Sequence, residues 1–177
     1  WTATDSSGNS ASDSQQISVI DTTIPSIIVP SDIQIEIYDK LGVEIDTGIP
    51  ASDDIIDSQP TITNDAPTVF PLGETIVTWT ATDKFGNTSS SLQIISIQTC
   101  GNDPFSYNLI VGSEDDDILI GTTLSDLIFA NSGDDIISGD KGNDCIIAGD
   151  GDDIIFGNQG NDNISGQDGN DIIKGQS

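Results

Sequence analysis

The sequence contains no histidine and no arginine, and four lysines are its only basic side chains. Without histidine the chain has no Ser-His-Asp triad, no Cys-His dyad, no histidine-ligated zinc and no histidine general base. Four lysines are too few to follow a phosphate backbone or an anionic membrane surface. We therefore expect a protein that is not an enzyme and that has no nucleic-acid partner.

Methionine and long apolar runs are also missing. No stretch of 18 apolar residues occurs, so we expect no transmembrane helix and no membrane insertion in this part of the chain. The chain opens at Trp1 within a segment that has the pattern of a strand, and no signal peptide precedes it. We interpret it as an internal or C-terminal fragment, so the missing signal says nothing about where the parent protein is sent.

Acidic residues dominate what is present. There are 30 Asp and Glu residues, 26 of them Asp, and the net charge is −26 over 177 residues. A hydrophobic content of 34%, rich in Ile and Val, argues against plain disorder. Many short carboxylates favour a hard cation that takes oxygen ligands as the partner.

Composition divides the chain into two parts. All seven prolines lie at or before Pro104, whereas 12 of the 18 glycines lie from Gly112 onward. Residues 112–177 carry 15 of the 30 acids, nearly twice the acid density of residues 1–111. We therefore predict two different architectures, joined by a linker over residues 100–111.

The first part contains an internal repeat. The segment Trp1–Asn9 (WTATDSSGN) returns as Trp79–Asn87 (WTATDKFGN). The offset between the two copies is the length of a domain rather than of a solenoid coil. We therefore interpret residues 1–20 as the C-terminal hairpin of a truncated domain and residues 21–99 as a complete domain.

The complete domain has the pattern of an all-β sandwich. Apolar and polar residues alternate in Ile33–Ile37, and Thr75–Thr82 is rich in β-branched and aromatic residues. Short strands separated by Gly and Pro turns favour a sandwich. We expect Trp1 and Trp79 to be core residues.

Several acidic residues of this domain have a simple structural interpretation. Asp83 and Asn87 are expected to shape a turn, with a lone surface calcium as the alternative. The acidic run Ser52-Asp53-Asp54 is expected to be a solvated loop.

Two short motifs in this domain carry a family resemblance. Asp21–Pro25 (DTTIP) opens the domain, and Phe70–Gly73 (FPLG) leads into Val77–Asp83 (VTWTATD) and Gly86-Asn87. Together they resemble the hyalin repeat (HYR), an immunoglobulin-like module of extracellular and cell-surface proteins. The resemblance covers residues 21–98, with a partial copy at 1–20, and implies an immunoglobulin-like β-sandwich. This copy lacks the cysteine pair that many hyalin repeats carry.

Residues 112–177 show a strict period of nine. A large aliphatic residue follows each aspartate of the period by two positions, from Leu119 to Ile173, and from the third copy on a glycine precedes it by two. Such a period indicates a repeat architecture. The aspartates are Asp117, Asp126, Asp135, Asp144, Asp153, Asp162 and Asp171.

The pattern G-x-x-G-x-D-x-U-x, with U a large aliphatic residue, closely resembles the RTX (hemolysin-type) calcium-binding nonapeptide repeat. The resemblance implies a parallel β-roll, a two-sheet solenoid in which each repeat supplies a six-residue turn and a three-residue strand. The residue types agree with this fold. Glycine supplies the positive φ of a tight turn, and the middle residue of a three-residue strand faces opposite to its neighbours, so the aliphatic residues form an interior ladder.

Two repeats per coil would stack each turn directly on the turn two repeats away. Parallel strands are about 4.8 Å apart and calcium–oxygen distances are about 2.4 Å, so one ion fits midway between stacked turns. Five pairs result, which sets an upper number of about five calcium ions. The alternative is a solenoid with solvated, purely structural turn aspartates. The pairs are Asp117 with Asp135, Asp135 with Asp153, Asp153 with Asp171, Asp126 with Asp144, and Asp144 with Asp162.

The resemblance also implies that backbone carbonyls at the second and fourth repeat positions complete the calcium shell. The residues are Asn131, Gly133, Asp140, Gly142, Gly149, Gly151, Asn158, Gly160 and Gly169.

The first two copies depart from the pattern. Asp115 and Leu124 replace the fourth-position glycine, and Ala130 and Ala148 replace first-position glycines in later copies. Leu is costly at positive φ. We expect the early coils to be a cap where calcium binding is weak or absent, and the best sites to use the five aspartates from Asp135 onward.

The charge of the repeat region predicts calcium-dependent folding. Residues 112–177 hold 15 acids against two lysines, and stacked carboxylates repel each other. We hypothesise that this module is largely unfolded without calcium and folds on binding it.

The two cysteines, Cys100 and Cys145, leave two interpretations open. They form a disulfide that pins the linker onto the roll, which a secreted context favours, or they are two separate thiols. Cys145 occupies the seventh repeat position, which is expected to point outward and to be reachable.

Two functions fit these observations. The first is a non-enzymatic module pair of a secreted or cell-surface protein, with the immunoglobulin-like repeat as spacer or adhesive unit and the roll as a calcium-triggered folding element. Its partners would be calcium ions, and surface glycans or other surface proteins. The alternative is a non-catalytic accessory tail of a secreted protease, lipase or glycosidase whose catalytic domain lies elsewhere. Both place the chain outside the cell.

Overall fold

A computed structural model describes residues 1–176, in which the one helical segment is a 3-10 turn at Pro104–Ser106. The all-β prediction is confirmed. In chain order the strands are β1 (Thr2–Thr4), β2 (Ser10–Ser12), β3 (Ser26–Ile28), β4 (Ile33–Glu36), β5 (Ala51–Asp53), β6 (Thr61–Asn64), β7 (Gly73–Thr82), β8 (Thr88–Gln98), β9 (Asn108–Val111), β10 (Ile118–Ile120), β11 (Asp126–Ser132), β12 (Ile136–Ser138), β13 (Cys145–Asp150), β14 (Ile154–Gln159), β15 (Asn163–Asp168) and β16 (Ile172–Gln176).

The N-terminal hairpin consists of β1 and β2, which pair antiparallel. Trp1 is 86% exposed, whereas its sequence counterpart Trp79 is 4% exposed. The expectation that Trp1 is a core residue is therefore wrong. The same nine-residue motif behaves differently because, among the described residues, no second sheet covers this hairpin.

The middle of the chain forms a two-sheet sandwich. One sheet pairs β3 with β5, and the other has the order β4-β8-β7-β6, with β4 parallel to β8. Alternate residues of β7 point inward, which buries Val77 and Trp79 against Ile95 and Ile97 of β8. The indole Nε1 of Trp79 donates a hydrogen bond of 3.0 Å to the buried Gln93 side chain, so its polar atom is satisfied within the core.

The last part of the chain is a parallel β-roll. One sheet has the order β15-β13-β11-β9 and the other β10-β12-β14-β16. Each strand pairs in parallel with the strand two later, at a spacing of two repeats, as in Ile128 with Ile146 and Ile137 with Ile155. These four isoleucines are fully buried between the sheets. The inward ladder predicted from the period of nine is confirmed.

The roll begins earlier in the chain than the repeat pattern does. Strand β9 lies within residues 100–111, the segment assigned to the linker, and pairs in register with β11. Its Ile110 packs against the buried ladder of the roll.

The outer face of the β9/β11/β13/β15 sheet is covered. Leu127, Phe129 and Ile147 form a buried cluster there with both cysteines, and Leu72 of the sandwich and Tyr107 pack against it. A disulfide joins Cys100 to Cys145. Cys145 is fully buried under this cover, so the expectation that it is reachable is wrong.

Among the described residues, no helix has the length and apolar character needed to cross a bilayer.

Candidate metal centre

The later turns of the roll have a left-handed backbone at two positions of each repeat. At the fourth position the five glycines from Gly133 to Gly169 have φ between 119° and 146°. A Cβ added at Gly151 would lie 2.1 Å from the carbonyl oxygen of Gly133 in the turn below, so both φ and the close stacking require glycine. The second position is left-handed in Asn131 (83°), Asp140 (70°), Gly149 (117°), Asn158 (68°) and Gln167 (67°).

The first two turns adopt a different backbone. Their second-position and fourth-position residues do not take positive φ, which agrees with the steric cost that Leu124 would incur there. These residues are Ser113, Asp115, Thr122 and Leu124.

The predicted aspartates line the two edges of the roll as two ladders. In each ladder, one carboxylate oxygen accepts a hydrogen bond from the backbone N–H of the aspartate two repeats earlier. This bond fixes each carboxylate between two stacked turns. The donor and acceptor pairs are Asp117 N to Asp135 Oδ1 (2.7 Å), Asp126 N to Asp144 Oδ1 (2.9 Å), Asp135 N to Asp153 Oδ1 (2.8 Å), Asp144 N to Asp162 Oδ1 (3.1 Å) and Asp153 N to Asp171 Oδ1 (3.1 Å).

Three of these carboxylates keep a second oxygen without a partner. The Oδ2 atoms of Asp135, Asp144 and Asp153 are buried and accept no hydrogen bond. Each of the three side chains is only 1% exposed. A buried carboxylate oxygen without a donor is costly, so each of these three needs either a cation or a proton. The chemistry of the donors, all oxygen and all anionic, fits calcium.

The first two aspartates of the ladders are satisfied by the protein itself. Asp117 Oδ2 accepts hydrogen bonds from the Ser113 backbone N–H (2.6 Å) and hydroxyl (2.8 Å). Asp126 Oδ2 accepts the same pair from Thr122, at 2.6 Å and 3.1 Å. The serine and threonine thus supply the donors that the later turns lack. These hydrogen bonds agree with a cap, and weak calcium binding in the early copies stays a prediction.

Asn108 belongs to this cap and was not recognised from the repeat pattern. Its amide Nδ2 donates to Asp126 Oδ1 at 2.7 Å. Asn108 lies nine residues before Asp117, at the position that the period of nine assigns to an aspartate. An aspartate there would add a further negative charge, which the asparagine does not. This position in the period was therefore the signal that could have found it.

Asn131 closes the first turn from the other side. Its Nδ2 donates to the carbonyl oxygens of Gly112 (2.7 Å) and Ser113 (3.1 Å). Lys40 of the sandwich donates to the Asn131 Oδ1. The Asn131 side chain is thus engaged in the contact between the two modules, whereas the group predicted to bind calcium was its backbone carbonyl.

The remaining predicted site residues are positioned as follows. Asp162 and Asp171 lie at the C-terminal end of the ladders and are half-buried. The Asp140 carbonyl oxygen accepts a hydrogen bond from the Gln159 N–H at 3.0 Å, next to the isolated parallel bridge between Lys141 and Gln159. The Asn158 amide donates to the Ser138 hydroxyl at 3.0 Å.

The electrostatics separate the cap from the later turns. Burial, together with the charges of Asp162, Asp126 and Asp140, raises the pKa of Asp144 to about 6. Burial and neighbouring aspartates likewise raise the pKa values of Asp135 and Asp153.

Asp117 in the cap shows the opposite shift. The hydrogen bonds from the Ser113 N–H and hydroxyl lower its pKa. The Asp117 carboxylate is therefore stabilised as an anion, whereas the carboxylates of Asp135, Asp144 and Asp153 resist ionisation unless a cation is near.

Two stacked carboxylate ladders on a parallel solenoid define a class of protein, the cation-binding β-roll, here attached to an immunoglobulin-like sandwich. The family model of the RTX calcium-binding nonapeptide repeat (4 copies) matches residues 111–144 and 147–177. The HYR domain model matches residues 20–97. The chain therefore carries a HYR domain followed by RTX calcium-binding repeats, and both resemblances are confirmed. The searches of curated proteins and of solved structures gave no match.

The raised pKa values predict an unusual response to acid. Because the folded, calcium-free roll binds protons more tightly at Asp144, Asp135 and Asp153 than the unfolded chain does, lowering the pH stabilises it. In EDTA, we expect far-UV circular dichroism to show a gain of β-structure as the pH falls through about 6 towards about 4. The lowered pKa of Asp117 has the opposite effect on stability, but only at a pH below this range. A monotonic loss of β-signal on acidification would contradict the prediction.

Proposed function

We propose that this chain is a non-enzymatic module pair of a secreted or cell-surface protein, in which the RTX roll is a calcium-triggered folding element. The HYR domain then acts as a spacer or adhesive unit that presents a surface to glycans or other surface proteins. The observation that carries the proposal is the set of three buried, unpartnered carboxylate oxygens in Asp135, Asp144 and Asp153.

The proposed coupling between folding and calcium supports a location outside the cell. Sites with affinities suited to extracellular modules fill at millimolar calcium and stay empty at cytosolic levels. The net charge of −13 in residues 112–177, from 15 acids and two lysines, disfavours compaction until cations neutralise it. A roll of this kind leaves the cell unfolded and folds outside. Both families are typical of extracellular or surface proteins, which supports this placement.

The number of calcium ions that we propose is three, rather than the upper number of five. Of the five stacked pairs, two contain a cap aspartate, Asp117 or Asp126, whose oxygens already have donors. The pairs without a cap aspartate are Asp135 with Asp153, Asp153 with Asp171, and Asp144 with Asp162. We propose one ion for each of these three pairs.

Matched substitutions on one ladder test the proposal. Asp144→Asn removes the charge of a buried, unpartnered carboxylate, and Asp126→Asn makes the same change at a satisfied one. By calcium calorimetry, we expect Asp144→Asn to weaken binding in the roll at least about tenfold or to lose one site. Asp126→Asn is expected to change affinity by less than about twofold.

The stability of the same two variants without calcium provides a second test. Without calcium, Asp144→Asn is expected to stabilise the roll, because it removes a buried charge that faces Asp162, Asp126 and Asp140. A purely structural ladder would give no difference between the two variants in calorimetry, and that result would overturn the calcium proposal.

A further inference from the structure

A second group of acidic side chains lies outside the roll, at one end of the HYR sandwich. Asp21 precedes β3, Asp54 follows β5 and Asp83 follows β7. One carboxylate oxygen from each lies within 4.8 Å of one from each of the others. Three chain segments that are distant in sequence therefore bring their negative charges to one point.

Two of these carboxylates each have a fully buried oxygen without a donor. The Oδ2 atoms of Asp21 and Asp54 are both inaccessible and accept no hydrogen bond. Their other oxygens are satisfied, in Asp21 by the Thr23 N–H and in Asp54 by the Ile56 and Asp57 N–H groups. The expectation of a solvated loop at Ser52-Asp53-Asp54 is therefore wrong, because Ser52 and Asp53 lie in strand β5 and Asp54 has a buried carboxylate oxygen.

The turn at Asp83 does not account for this convergence. Asp83 accepts hydrogen bonds from the N–H groups of Phe85 and Asn87 and from the Asn87 amide. Asp5 in the N-terminal hairpin accepts the equivalent bonds from Ser7 and Asn9, and it belongs to no such carboxylate group among the described residues. The Asp-x-x-Gly-Asn turn is thus complete on its own, and Asp21 and Asp54 are additions to it.

The neighbouring lysine does not neutralise the group. Lys84 directs its ammonium to the carbonyl oxygen of Ile56 at 3.0 Å, and the ammonium lies 5.2 Å from the centre of the Phe85 ring. Asn87 instead holds the negative groups together, because its amide donates both to Asp83 Oδ2 (2.7 Å) and to the Asp21 carbonyl oxygen (3.2 Å). Asp83 is only 5% exposed, and the Oδ2 atoms of Asp21 and Asp54 are inaccessible to solvent, so the three carboxylates converge at a largely buried place.

We propose that Asp21, Asp54 and Asp83 bind a calcium ion that ties the first residue of the HYR domain to two of its loops. Two ligands on opposite sides of a calcium ion are about 4.8 Å apart, so all three oxygens fit within one coordination shell. The ion supplies the positive partner that the two buried oxygens lack. This site is independent of the RTX ladders and uses none of their residues.

Hydrogen–deuterium exchange of the full chain, measured in calcium and in EDTA, tests the proposed site through the peptides that contain its three aspartates. We expect calcium at about 5 mM to slow amide exchange at least about fivefold in peptides covering residues 21–26, 54–57 and 83–88. Asp21→Asn with Asp54→Asn is expected to abolish this response, since an asparagine still accepts the Thr23, Ile56 and Asp57 N–H bonds but brings no charge. Asp53→Asn, beside the site but exposed, is expected to keep it.

Two further variants make the outcome decisive. The first is a triple variant of the roll, Asp135→Asn with Asp144→Asn and Asp153→Asn. In this variant the roll is expected to lose its calcium response, while the HYR peptides are expected to keep theirs. Failure of one site is therefore distinguishable from failure of the other. If the Asp21/Asp54 variant loses the buried Trp79 emission, Asp54→Asn alone replaces it. The proposal is overturned if calcium slows exchange of the three wild-type HYR peptides by less than about twofold, or equally in wild type and variant.

Discussion

Removing calcium with excess EDTA near neutral pH is expected to unfold the roll while the strand core of the HYR sandwich stays folded. The calcium-free roll keeps three buried carboxylates whose second oxygens have no donor. Its apolar core between the sheets is small, with four fully buried isoleucines and two alanines. Three sites, each filled at about 100 times its dissociation constant, would supply about 8 kcal/mol that the calcium-free roll lacks.

Hydrogen–deuterium exchange separates the two modules in one measurement. In EDTA, amides of β11, β13 and β14 are expected to exchange as an unfolded chain, whereas amides in the centres of β7 and β8 stay protected. The sandwich strands are the matched control, because their core of Phe70, Val77 and Trp79 contains no carboxylate. Protection of the roll strands that is equal in EDTA and in calcium would refute calcium-dependent folding.

The second large effect is expected from removing the disulfide. Cys100 and Cys145 close a segment of 45 residues that runs from the end of the sandwich into the third strand of one roll sheet. A cross-link that closes a loop of this length restricts the unfolded chain and thereby raises the free energy of unfolding by about 4 kcal/mol. In saturating calcium, Cys100→Ala with Cys145→Ala is therefore expected to lower the free energy of unfolding of the roll by about that amount, measured by urea denaturation.

Burial of Cys145 provides the control for this experiment. Because the sulfur is covered by Leu127, Phe129 and Ile147, a reductant is expected to cleave the wild-type bond slowly in calcium and rapidly in EDTA. The alanine pair should also match fully reduced wild type. A loss of less than about 1 kcal/mol in the variant would show that the bond does not constrain the roll.

The repeat pattern was sufficient to predict the architecture of the roll. A period of nine in aspartate and aliphatic residues forces equivalent positions into a stack, because a coil of two repeats places every aspartate at a turn and every Ile or Leu inside. The observed pairing of Ile128 with Ile146 and Ile137 with Ile155 has this spacing. The left-handed glycines of the later turns and the departure at Leu124 were also readable from residue types.

Side-chain partners across the stack could not be read from the period. Ser113 and Thr122 reach Asp117 and Asp126 within their own turns, four residues along the chain, whereas Asn108 reaches Asp126 only because the fold stacks its coil against that turn. The period of nine predicts five equivalent aspartate pairs, whereas the hydrogen bonds set apart the two pairs that contain Asp117 or Asp126. Hydrogen-bond satisfaction depends on donor positions in three dimensions, and periodicity carries no information about those.

The order of residues along the chain was enough for the strands, the turns and the two carboxylate ladders, because local backbone preference and burial repeat with the sequence period. Contacts between distant segments were not accessible in this way. Lys40 meets Asn131, the two cysteines meet under Leu72 and Tyr107, and Asp21, Asp54 and Asp83 converge. The first two pairings depend on how the sandwich and the roll pack, and the third depends on how the loops of the sandwich come together, so a local or periodic sequence signal identifies none of them.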